Sequence, residues 1–192
     1  MIGWIILGVV VVAVIYVISV YNNLKTQENR VENAWSQIDV QLQRRFDLIP
    51  NFVETVKGYM THESETFEKI AALRTSWANA GSVADKANID NQLSGALKTI
   101  MAVSENYPEL KANQNFADLS EELRNTENKI SFSRQFYNDT VTKFNTKLEL
   151  FPSNIIANSF GFKQKDLFAA ESEEARKNVK VDWWTIIQRG DK

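Results

Sequence analysis

The sequence contains no cysteine, one histidine, three prolines and seven glycines in 192 residues. Without cysteine there is no disulfide, no thiolate metal site and no thiol nucleophile. Scarce glycine and proline suit a helical chain, because both weaken helix interiors. An excess of either charge is also lacking: 22 Lys+Arg stand against 24 Asp+Glu, a formal net charge of −2. Phosphate binding needs a concentrated basic face, so nucleic acid is not an expected partner. The lone His62 opens His62-Glu63-Ser64-Glu65-Thr66, which lacks the second histidine of a zinc-protease helix. It reads as an exposed helical residue, and it leaves serine and threonine catalysis without an ordinary base. There is no glycine-rich phosphate loop and no nucleophile elbow. Glu63/Glu65 and Glu121/Glu122 read as solvated helix surface, and Asp85 to Asp90 lacks the spacing and glycine of a calcium loop. No catalytic, cofactor-binding or metal-ligating residue is assigned, no cofactor is expected, and the chain is not expected to be an enzyme.

Charge is also missing from the N-terminus, where none occurs before Lys25. Ile2 to Val20 is a nearly unbroken apolar run that includes Ile5, Leu7, Val12 and Ile15. At about 1.5 Å per residue it can cross a hydrocarbon core of roughly 30 Å. Trp4 lies near one end, Tyr16 and Tyr21 near the other, where amphipathic rings favour the headgroup region. A signal peptide would want a basic n-region and a small-residue cleavage site, and Ser19-Val20-Tyr21 is a poor one. Residues 1–23 are therefore expected to form an uncleaved single-pass anchor in the cell membrane, with the lipid bilayer as partner. Lys25 and Arg30, with Arg44 and Arg45 further on, favour a cytoplasmic body and an outside N-terminus.

From Leu24 the pattern is helical. Leu24, Glu28, Val31, Trp35, Ile38, Leu42, Ile49, Val56, Ile70 and Trp77 follow one seven-residue register, with Phe46, Val53, Met60 and Phe67 on a companion line. Both lines stay in phase across Pro50, which predicts one long helix, kinked there, from the membrane to about Ala80. A tight turn at Pro50 between two antiparallel helices is the other arrangement. A helix about 60 residues past the membrane would stand roughly 90 Å tall. Gly81-Ser82 ends this element. A shorter helix carries Ile89, Leu93, Leu97, Ile100 and Val103 on its apolar face. Phe116, Leu123, Ile130, Tyr137, Phe144 and Phe151 then mark a long helix that stops at Pro152. Sustained heptads predict long helices packed at shallow angles. Ile155, Ile156, Phe160, Phe162, Leu167 and Phe168 are expected to close one end of the bundle. The fold class is thus all-α: a transmembrane helix followed over 24–168 by an elongated antiparallel up-and-down bundle of three to four long helices. Residues 169–192 read as a charged, partly disordered tail, with Glu171 to Lys180 exposed and Trp183 to Ile187 an apolar patch. If Pro50 is interior, the Phe46 carbonyl loses its usual donor. Arg44, Asp47, Asn51, Asn138 and Asn145 are candidates for a polar network around it.

The stretches RVENAWSQIDVQLQRRFDLIPNFVETVKGY (Arg30 to Tyr59) and ISFSRQFYNDTVTKFNTKLELFPSNIIANSFGF (Ile130 to Phe162) resemble the LemA family closely. The apolar leader and its Tyr21-Asn22-Asn23-Leu24 exit are similar too. The resemblance runs from the start to about Phe168, and Trp35, Arg45 to Asn51, Tyr137-Asn138-Asp139 and Phe151-Pro152 make it specific. Gln135 and Phe144 stand where arginine and tyrosine are expected. The resemblance implies a bacterial membrane-anchored bundle, four helices up and down, with no assigned catalytic residues. It also implies genes that neighbour a membrane metalloprotease of the HtpX type. Three functions follow as expectations: a self-assembling scaffold, hence a homo-oligomer; an adaptor for a partner such as that metalloprotease; or an undetected enzyme. Apolar surface along the whole rod favours the first, one localised patch the second, and a convergent polar pocket the third. The wide aromatic stripes, broadened by Phe132 and Phe136 on the last long helix and by Tyr59 and Trp77 on the first, favour self-association if three helices cannot cover them.

Overall fold

The computed structural model describes residues 1–168. The first apolar register forms one helix, α1 (Ile2–Lys57), with Pro50 inside it. A proline there removes a hydrogen bond and costs about 3 kcal/mol. Phe46, Ile49, Phe52 and Val56 are buried around it. At about 1.5–3 kcal/mol per buried side chain, that packing outweighs the loss.

The helix does not continue to Ala80. It ends at Lys57, and Gly58 to Glu63 reverse the chain before α2 (Ser64–Ala78). His62 lies in this turn, exposed and not helical. The break is six residues long and preserves the heptad phase, so Val56 and Ile70 are both core. Continuity of phase is therefore not continuity of helix. The part of α1 beyond Val20 stands about 55 Å tall at 1.5 Å per residue, not 90 Å.

Contacts between elements fix the course of the chain. α2 descends from the tip, and Trp77 near its end stacks on Phe46 with ring centroids 4.4 Å apart. Ser82 caps α3 (Val83–Ser104) by accepting from the Asp85 N–H, in place of one orphaned backbone partner. α3 rises again: Lys86 pairs with Asp39 near its start, and past its end Tyr107 donates to Glu63 at the tip. The short α4 (Pro108–Lys111) turns the chain, and Asn113 caps α5 (Gln114–Glu149). α5 runs antiparallel to α1, with Phe116 against Phe52, Tyr137 against Trp35 and Lys147 bonded to Asn23. After α6 (Ser153–Ser159), Phe160 and Gly161 form a turn, and residues 162–168 follow without helix or strand.

The rod therefore has two storeys. Above about Asp39 there are four helical passes, up, down, up and down, with the first reversal at Gly58 to Glu63 instead of Pro50. Below it α1 and α5 form a two-helix stalk, with the extended 162–168 segment as third element. Tyr59 and Trp77 belong to the core or pack against it. The stretches Glu171 to Lys180 and Trp183 to Ile187 lie outside the described residues.

Candidate functional site

Where the storeys meet, the heptad positions carry charge. Arg45 lies between Leu42 and Ile49 on the buried stripe of α1, Asp90 between Ala87 and Leu93 on α3, and Arg134 between Ile130 and Tyr137 on α5. Asp90 is fully buried and Arg45 is 3% exposed. Arg45 Nη1 donates to Asp90 Oδ1 at 2.7 Å and to Ser94 Oγ at 3.0 Å, and lies 2.8 Å from Glu127 Oε2. Arg134 donates to the other Asp90 oxygen and, at 3.0 Å, to Asn91 Oδ1. Two arginines thus share one carboxylate, which compensates for the cost of removing it from water. Beside the cluster a cleft of about 560 Å³ opens between α3 and α5, lined by Arg45, Ser94, Leu97, Lys98, Arg124 and Glu127 among others. Asp90 and Glu127 are both committed to arginine, so neither stands free as a general base. Among the described residues no group of three His, Cys, Asp or Glu could hold a metal ion.

The second construction is the stapled C-terminal segment. Asn145 Nδ2 donates to the Lys165 carbonyl at 2.9 Å and its Oδ1 accepts from the Lys165 N–H at 3.0 Å. Asn138 treats Phe168 the same way, at 3.0 and 2.8 Å. Each amide thus satisfies both backbone groups of one residue, as a neighbouring strand would. The spacing fits: seven helical residues advance about 10.5 Å and three extended residues about 10 Å. On α1 the same rhythm recurs. Tyr21 lies 5.7 Å from the Phe162 ring, Glu28 accepts from Lys165 at 3.1 Å, and Trp35 lies 6.1 Å from the Phe168 ring. The Glu28 carboxyl is held below its usual range, chiefly by a hydrogen bond from Lys25 and then by Lys165. Burial pushes the Tyr137 hydroxyl up, and it donates to the Asp166 carbonyl at 2.8 Å. Asn138→Ala is expected to destabilise the body by about 1–3 kcal/mol, since it strands two paired backbone groups. Urea unfolding of the full chain measures it, and a change within about 0.5 kcal/mol would mean the staple contributes nothing.

The candidate polar network around Pro50 does not form. Arg44 pairs with Glu122 instead, half exposed. Asp47 accepts from Gln43 at 2.9 Å, the Asn51 carbonyl accepts from the Thr55 hydroxyl, and the two α5 asparagines serve the C-terminal segment. The reason is height: Asn138 lies next to Tyr137, which packs on Trp35, and Asn145 holds Lys165, which pairs with Glu28, both far down α1 from Pro50. Trp35 also receives Lys86 Nζ 5.5 Å from its ring centre, and Pro152 sits at the turn into α6. The 155–168 cluster divides. Ile156 and Phe168 are buried and Phe162 is packed on the core, but Ile155, Phe160 and Leu167 face out. Phe132 and Phe136 are not core either, at 73% and 49% exposure, and Val40 is 63% exposed on α1. Sequence reasoning assigned no role to Asp90, Glu127 or Arg134, although charge at a core heptad position is a legible signal.

The anchor residues behave as one surface. Ile2, Trp4, Ile5, Leu7, Val12 and Ile15 are exposed along a helix end that touches no other element, and Val20 begins the packed region. A long apolar N-terminal helix with none of its apolar window buried is compatible with a single-pass membrane anchor. Among curated proteins, the chain is 30% identical over 158 residues to Protein LemA of Metamycoplasma hominis, covering 80% of this chain and 70% of that one. It is 24% identical over 174 residues to the magnetosome proteins MamQ 2 and MamQ 1 of Paramagnetospirillum magneticum, covering 77% of this chain. The chain spans 64% of the length of those two relatives, just under two thirds. The family match begins after the apolar run and takes in the charge cluster, both asparagine staples and residues past Phe168. With the LemA family description matching residues 34–183, the chain belongs to the LemA family.

Proposed function

We propose that the protein is a non-enzymatic, membrane-anchored scaffold whose rods associate with one another through the side of α1 and α5. The observation that carries this is the patch of Val40, Phe132 and Phe136, all exposed on the α1–α5 pair. Ser36, Gln37, Gln41, Asn128, Lys129 and Ser133 complete a groove there, alongside Val40 and Phe132. Solvated apolar side chains on two facing helices stabilise an interface once covered. An anchored rod presents this patch at one fixed height, so a second copy in the same bilayer carries it at the same height. Two copies related by a two-fold axis along the membrane normal can therefore cover each other's patches. Confinement to a plane raises their effective concentration. The non-enzymatic reading rests on the neutralised carboxylates and the solitary, exposed His62.

The patch is local and does not run the length of the rod, which favours a second reading, an adaptor for one membrane partner such as an HtpX-type metalloprotease. Mass measurement in mild detergent and in nanodiscs separates the two. The scaffold predicts assemblies above monomer mass that a Phe132→Asp/Phe136→Asp variant reduces to monomer. A monomeric wild type under all conditions would leave the adaptor leading. The body is placed in the cytoplasm on the cation bias around Lys25 and Arg30. A His62→Cys variant labelled readily by an impermeant thiol reagent in intact cells would reverse that placement.

A further inference from the structure

The geometry points to a second membrane contact: the α5–α6 corner is an apolar foot that dips into the bilayer beside the anchor. Leu150, Phe151, Ile155 and Phe160 are 56%, 80%, 56% and 56% exposed. Together they form an apolar surface at one end of the rod, and it is the end from which the anchor leaves. Phe160 packs on Tyr21 with ring centroids 4.8 Å apart, at the residue where the apolar run of α1 stops.

Height decides what the foot meets. Lys147 is bonded to Asn23, and α5 there runs toward the membrane while α1 runs away from it. Three residues beyond Lys147, about 4.5 Å further down, Leu150 is level with Val20, inside the apolar run. Phe151 and α6 follow at that depth. Buried Ile156 and Ala157 hold α6 to the bundle, so its outer side chains have a fixed aim. An aqueous partner would have to displace lipid to reach them. Lys25 follows Tyr21 by four residues and Lys163 follows Phe160 by three, and both are exposed, as cations next to anionic headgroups should be. Two attachment points would fix the tilt of the rod, where a single helix leaves it free to lean.

This rests on α1 crossing a bilayer, and the test separates the two claims. The natural chain has no cysteine, so single Val12→Cys, Phe151→Cys, Ile155→Cys and Asn115→Cys variants each accept one environment-sensitive fluorophore. The full chain is reconstituted in phosphatidylcholine–phosphatidylglycerol vesicles. Quenching by brominated acyl chains is compared with quenching by aqueous iodide. The foot predicts that labels at 151 and 155 are quenched by bromolipid, as at 12, while the label at the tip position 115 is quenched by iodide. Iodide quenching at 151 and 155 with bromolipid quenching at 12 would overturn the foot and leave the anchor standing. Iodide quenching at 12 would overturn the anchor, and the foot with it.

Discussion

Asp90→Ala is expected to destabilise the body by about 3–5 kcal/mol, the cost of removing one partner from a buried ion pair. The carboxylate is fully buried and holds Arg45 through one oxygen and Arg134 through the other. Its loss leaves two guanidinium groups near each other with Glu127 as the remaining carboxylate, and Glu127 is about one third exposed. Arg44→Ala is the control. Its pair with Glu122 is half-exposed on the arginine side and one-third exposed on the other, so it is expected to cost at most about 1 kcal/mol. Urea unfolding of the full chain, followed by helical circular dichroism, measures both. The sign also bears on function. Functional sites tend to be held at the expense of stability, so removing a working residue often stabilises the fold. A stability gain in Asp90→Ala would overturn the structural reading of the cluster and reopen the case for chemistry in the α3–α5 cleft.

Phe168→Ala is expected to release the C-terminal segment from the stalk. Truncating a fully buried phenylalanine costs about 3–5 kcal/mol. Phe168 is 1% exposed, faces Trp35, and lies under the Arg134 guanidinium at 4.6 Å. The segment is peripheral, so the loss registers first as local opening instead of global unfolding. The Lys165 N–H, held by Asn145, reports on it. Its hydrogen exchange is expected to accelerate by on the order of a hundredfold or more, with little change at the tip of the bundle. Unchanged protection at Lys165 would mean that the asparagines alone hold the segment.

Periodicity and the absence of certain residues made much of the molecule legible in the sequence. The uncharged run before Lys25 defines the apolar helix end, because only a long apolar stretch without charge suits a hydrocarbon environment. Heptads define α5 to within a few residues and carry α1 through Pro50, because core packing outweighs one lost hydrogen bond. The same rule failed at Gly58, since a six-residue turn happens to restore the phase of a seven-residue repeat. Charges at core positions were visible in Arg45, Asp90 and Arg134, but not their meeting. Which of many charged residues pair depends on the heights of three helices, and those heights depend on where the turns fall. Likewise the spacing of Asn138 and Asn145 marks one helix side, while their partners are backbone atoms 20 and 30 residues on that no side-chain pattern announces. Exposure was the last thing only the tertiary structure decided. Val40, Phe132 and Phe136, and the foot around Phe151, are apolar residues like those of the core. They face outward because the elements packed on α1 and α5, the α2–α3 pair above and the 162–168 segment below, cover only one side of that helix pair.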